Sequence, residues 1–187
     1  MAERFNPVAL EQLLLSFKYH PDEDWNDLNI RSESRVIGFG SDSFVFPLGK
    51  SEVVKVYRKG LSFRSNLELY QEVINRASDL CLASDYFIRF HNKVHRVFVN
   101  PISSIHAFER SNILCAISRR VLGRSLYDVG GNQDGIDQLS VWLNKKLCVE
   151  GIGISDWNVR VNDGLFVRPA LIVTDLSDYI GTLSRKR

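Results

Sequence analysis

Two aspartates near the C-terminal end, Asp156 and Asp175, are the residues whose type and surroundings first point to chemistry. Asp156 follows Gly151-Ile152-Gly153-Ile154-Ser155, and Asp175 closes the apolar run Ala170-Leu171-Ile172-Val173-Thr174. A carboxylate just past a buried strand is often only a turn former or a helix cap. Two of them flanking a hairpin also suit metal-assisted phosphoryl transfer, one orienting an acceptor hydroxyl and one holding Mg²⁺. Lys55 supplies a cation inside Val53-Val54-Lys55-Val56-Tyr57, where burying a charge is costly unless it is paired. Either it lies on the polar face of an edge strand, or it holds phosphates while paired with a carboxylate on the next helix. Glu72 is the chosen partner, with Glu68 one turn earlier as the fallback. Upstream, Gly38-Phe39-Gly40-Ser41-Asp42-Ser43-Phe44-Val45 places glycines where backbone N–H groups could approach a phosphate. A plain glycine hairpin is the alternative. Gly49-Lys50-Ser51 ends like a P-loop, but Phe44 occupies the position where that motif needs glycine, which excludes it.

These residues need elements to hold them. Residues 8–18 have helical spacing. From Arg35 the pattern turns β-rich at Val36-Ile37, Phe44–Phe46 and Val53–Tyr57, predicting three strands in an antiparallel meander. Leu67, Tyr70, Val73, Ile74 and Ala77 share one face of a helix over 66–80. Strands are expected at Val94–Asn100 and Ile113–Val121. A second helix is expected over 136–149, capped by Asp134 and lined by Ile136, Leu139, Leu143 and Leu147. A hairpin follows, with Val159–Val161 and Ala170–Asp175 as strands and Asn162-Asp163-Gly164 as a turn. Three strands, helix, two strands, helix and hairpin make an α+β fold.

Composition sets outer bounds. Hydrophobic residues are 44% and charged residues 25%, enough apolar material for a core without staples. A net charge of +2 gives no argument for nucleic acid or a membrane surface. The acidic run Pro21–Asp24 and the basic tail Ser184–Arg187 read as solvated segments. Cys81, Cys115 and Cys148 sit in apolar runs and read as buried thiols of a reducing cytosol. With no signal-like or spanning segment, a cytoplasmic protein is expected. His91 and His95 read as surface residues without a third metal ligand, and Trp25, Trp142 and Trp157 as packing residues. Trp157 could instead shape an acceptor site.

The ordered set Gly38/Gly40, Lys55, Glu72, Asp156, Asp175 resembles the protein-kinase fold and its lipid- and aminoglycoside-kinase cousins, from about Arg35 to Asp178. Val53–Tyr57 looks like the family's Val-Ala-Ile-Lys strand. Ser118–Leu126 looks like its hinge and following small helix, Gly151–Asp156 like its Gly-Ile-Ile-His-Arg-Asp, and Val173–Ser177 like its Asp-Phe-Gly segment. The resemblance implies an antiparallel-sheet N-lobe with one main helix (35–121), a truncated, mainly helical C-lobe (122–187) and a helical extension (1–34). It also implies ATP and Mg²⁺ as cofactors. The nucleotide would lie against Gly38, Gly40, Ser41, Ser43 and Val45, with Lys55 on its phosphates and the Arg119–Val121 backbone on its adenine. Lys55, Glu72 and Asp156 would be the catalytic groups, and Asp175 and Asn158 the metal ligands.

Departures accompany the match. Ser43 replaces the third loop glycine, and Ile154-Ser155 replace His-Arg. The family's Asn, five residues after the catalytic Asp, falls on Val161, with Asn158 too close and Asn162 one place late. Only twelve residues follow Asp175, a truncation also found in small bacterial effector kinases and in phage or mobile-element kinase-like domains. Delivery into a host cell is compatible with that likeness. An active phosphotransferase and a pseudokinase serving as a nucleotide- or protein-binding module both fit. The acceptor, protein or small molecule, is left open. A short lower lobe would leave apolar surface for a partner protein or a second copy to cover.

Overall fold

The structure, a computed structural model, describes residues 7–16, 36–39, 43–163 and 168–176. Gly40, Ser41, Trp25, the acidic run and the basic tail lie outside them. The chain divides into two compact units that do not follow its order: Met1–Ser65 with Ser103–Arg120, and Asn66–Ile102 with Val121–Arg187. No helix among the described residues is long and apolar enough to cross a membrane.

The first unit is built on a five-stranded sheet. Strands β1 (Gly38–Phe39), β2 (Ser43–Leu48) and β3 (Glu52–Tyr57) form an antiparallel meander, with Gly49 at positive φ in the β2–β3 turn; the first strand pairs at Gly38–Phe39, within the expected glycine turn, rather than at Val36-Ile37. Strands β6 (Ile102–Phe108) and β7 (Ile113–Arg119) complete it in the order β1-β2-β3-β7-β6. Lys55 is therefore on an interior strand, opposite Val45 on one side and Ala116 on the other. The edge-strand alternative for Lys55 does not hold. Helix α1 (Pro7–Ser16) buries Leu10 and Leu14 in one apolar cluster with Phe46, Val54, Ile113 and Cys115. The leading helix is part of this core.

The second unit combines helices with a second sheet, so the structure is α+β with two sheets. Helix α2 (Arg64–Ser84) buries Leu67, Tyr70, Val73, Ile74 and Ala77, the face that the 3.6-residue period selects. Asn75 holds both backbone groups of Ile102, accepting from its N–H at 2.9 Å and donating to its carbonyl at 3.1 Å. Helix α3 (Gln133–Leu147) buries Ile136, Leu139, Leu143 and Leu147. Its cap is Asn132, whose Oδ1 accepts from Gly135 N–H, rather than Asp134, which lies inside the first turn.

The second sheet runs β4 (Phe87–Phe90), β5 (Lys93–Val99), β10 (Ala170–Val173), β9 (Val159–Asn162), β8 (Arg124–Ser125). β10 is parallel to β5 and antiparallel to β9. From residue 122 on, the described residues hold one α-helix, two short 3₁₀ turns and three strands, all three strands belonging to the second sheet. β4 and β8 escape the sequence pattern because they are short, and β6 because its middle positions, 103–107, are exposed or half-buried without alternation.

Cys81 and Cys115 are buried, and desolvation pushes their thiols up to about 11 and about 12. Cys148 is exposed, contrary to the sequence reading, because it caps α3 in the left-handed region. Since the thiolate is the reactive form, an aromatic disulfide reagent at mildly alkaline pH should titrate one thiol in the native protein and three after denaturation. A second fast native thiol would contradict the burial of Cys81 and Cys115.

Candidate functional site

The β9–β10 hairpin organises the acidic end of the second unit. Asn144 on α3 prepares the approach: its side chain donates to Ile152 O at 3.0 Å and accepts from Ile152 N–H at 2.9 Å. Ile152 and Ile154 are buried, so the segment leading to Asp156 is anchored by hydrogen bonds and apolar contact together. A 3₁₀ turn then covers Asp156–Asn158, opened by the Ser155 hydroxyl, which accepts from Trp157 N–H. β9 starts immediately afterwards at Val159.

β10 returns opposite, with Val173 facing Val159. Past its end, Thr174 donates twice to the Asn158 carbonyl, from N–H at 2.7 Å and from its hydroxyl at 2.9 Å. Asp156, Asn158 and Asp175 therefore occupy the same end of one hairpin. Asn162 sits at the other end, opposite Ala170. Four residues of strand at about 3.3 Å each separate it from Asn158 by roughly 13 Å. Of the two asparagines, Asn158 is the one beside Asp175. Asn162 closes β9 rather than belonging to a turn.

Tyr70 is the residue that sequence reasoning missed. It is 1% exposed on α2, and its hydroxyl donates to Asp175 Oδ1 while accepting from Leu176 N–H at 2.9 Å. The helical period marks Tyr70 as a core position, but nothing in the sequence says where its hydroxyl points. A buried phenol needs a partner, and here it orients the Asp175 carboxylate.

Asp156 is half-buried. A Cβ on Gly131 would come within 3.2 Å of Asp156 Oδ2, and Gly131 has φ +65°, so glycine both permits that turn and leaves the carboxylate room. Trp157 is exposed and stacks on Tyr127 with centroids 3.7 Å apart, making an aromatic pair beside Asp156 rather than core packing. Trp142 does pack, against Tyr86 at 4.4 Å. Glu72 is exposed and lies 3.9 Å from the Arg76 guanidinium one turn on. The oxygen donors of Asp175 and Asn158 suit a hard cation such as Mg²⁺, which takes few protein ligands and completes its shell from phosphates and water. No cluster of three His, Cys, Asp or Glu occurs among the described residues.

In the first unit, Gly38 pairs with Val45 across β1–β2, Ser43 is buried, and Lys55 is half-buried next to Val45 in the ladder. Arg119 ends β7, and Arg120 N–H continues the ladder to Ser51 O at 2.8 Å. Val121 opens the second stretch of the second unit. No known protein family matches this chain, and no curated protein matches it.

Tyr70→Phe keeps the ring and removes the hydroxyl, leaving Asp175 Oδ1 and Leu176 N–H without that partner. It should cost about 1–3 kcal/mol of stability in a urea titration. An unchanged midpoint would show that the hydroxyl's two bonds are replaced by water at no cost.

Proposed function

We propose that the protein is an ATP-dependent phosphotransferase of protein-kinase-like architecture that transfers to a hydroxyl acceptor with Mg²⁺. The observation that carries this reading is the shared position of Asp156, Asn158 and Asp175 at one end of the β9–β10 hairpin. The first unit supports it with a sheet in which β2 pairs with both β1, which carries Gly38, and β3, which carries Lys55.

In this reading Asp175 and Asn158 hold the metal, which neutralises phosphate charge. Tyr70 holds one oxygen of Asp175 and so restricts the rotamer of its carboxylate. Asp156 orients the acceptor hydroxyl and takes its proton. Gly38, Ser43 and Val45, with Gly40 and Ser41, border the phosphates. Lys55 contacts them, with Glu72 as its assigned partner, and Arg119–Val121 offer backbone groups to the adenine. Catalysis of this type is positioning and charge stabilisation, which rigid carboxylates on a hairpin provide.

A pseudokinase is the second reading. A single residue, Trp157, separates Asp156 from Asn158, and the 3₁₀ turn over them is tight. One Asp175 oxygen is already engaged by Tyr70. Both features favour a module that binds nucleotide without transferring phosphate.

ATP with Mg²⁺ should raise the melting temperature, and Lys55→Ala and Asp175→Ala should each remove most of the rise. Asp156→Ala should keep nucleotide binding while γ-phosphate transfer, autophosphorylation included, falls by about 10²–10⁴-fold. Saturating nucleotide without any thermal shift would overturn both readings. Bound ATP with wild type and Asp156→Ala equally silent would establish the pseudokinase.

A further inference from the structure

The far end of the β9–β10 hairpin carries a second concave site, independent of the phosphotransfer reading. A cavity of about 490 Å³ opens there, entirely within the second unit. That volume lies in the range of small-molecule pockets. Residues from both edge strands of the sheet line it, Phe90 from β4 and Arg124 from β8, so the sheet curls around the space. Gly123 permits the close approach to β9 there: its φ is +133°, and a Cβ would lie 2.5 Å from the Val161 carbonyl.

The lining is chemically specific. Arg124 is exposed and its guanidinium has no hydrogen bond or ion pair among the described residues. Asp163 lines the same cavity, with Oδ1 held 2.7 Å from His95 Nε2. His95 is 0% exposed, contrary to the surface expectation, because it alternates in phase with the buried Val97 and Val99. Its position leaves the second carboxylate oxygen of Asp163 for a ligand. The apolar wall is Phe90, stacked on His91 at 4.0 Å, together with Val129 and Val161.

We infer that this cavity binds a free α-amino acid with an apolar side chain. One unpaired guanidinium and one half-engaged carboxylate match a zwitterion: the α-carboxylate pairs with Arg124 and the α-ammonium with Asp163. A phosphate dianion fits worse, since Asp163 would repel it. The side chain lies against Phe90, Val129 and Val161, of which Val129 is half-buried and has apolar surface left to cover.

The test is thermal shift and titration calorimetry on the full chain with L-leucine, L-phenylalanine, glycine and inorganic phosphate, each at about 10 mM, suited to a Kd near 1 mM. Leucine or phenylalanine should raise the melting temperature, and glycine should do so less. L-leucinamide, lacking the carboxylate, and N-acetyl-L-leucine, lacking the ammonium, should each bind at least about tenfold more weakly, one well-made charged contact. Arg124→Ala, on an exposed side chain, should fold normally and lose the shift. Asp163→Asn should weaken binding as well, although it also removes a partner of buried His95. No shift with leucine or phenylalanine, an equal shift in Arg124→Ala, or a response to phosphate alone would each overturn the proposal.

Discussion

Strand β10, Ala170–Val173, has hydrogen-bonded neighbours on both sides, and the second unit is arranged around it. Leu171 and Val173 are fully buried, which an apolar strand can sustain because the ladders to β5 and β9 satisfy its peptide groups. The parallel partner, β5, lies some 70 residues earlier in the chain. That pairing joins the two stretches of sequence forming the unit, since residues 103–120 belong to the other one. Such a non-local contact pays loop-closure entropy before it gains anything, so this sheet is expected to be the slow part of folding.

The position of β10 explains the acidic end. A strand clamped on both sides delivers whatever follows it to a defined place. Thr174 is caught by the Asn158 carbonyl, Leu176 N–H by the Tyr70 hydroxyl, and Asp175 between them by the Tyr70 proton. Helix α2 thus reports directly on the orientation of Asp175. Movement of that helix would move the phenol that holds this carboxylate oxygen.

The hairpin also separates two chemistries. Its one end gathers carboxylates and an asparagine, hard donors suited to a cation. Its other end gathers Arg124, Asp163 and an apolar wall around a cavity. Gly130 and Gly131 run between them. A Cβ on Gly130 would lie 3.5 Å from His91 Nε2, and one on Gly131 3.2 Å from Asp156 Oδ2, so two consecutive glycines border both.

Local pattern was enough to read much of this protein. The meander of β1–β3, the buried faces of α2 and α3, and the β9–β10 hairpin all follow from periods of two and 3.6 residues, because burial of one face imposes them. The types of Asp156, Asp175 and Lys55 suggested a chemistry, and their order suggested where to look. What local pattern could not decide is which distant elements meet. That Asn132 rather than Asp134 caps α3, that Tyr70 aims its hydroxyl at Asp175, and that Asn158 rather than Asn162 lies beside it depend on tertiary contacts. The depth of His95 and the exposure of Cys148 do too. Hydrogen bonds act over about 3 Å, and residues separated by a hundred positions come that close only once the sheet has closed.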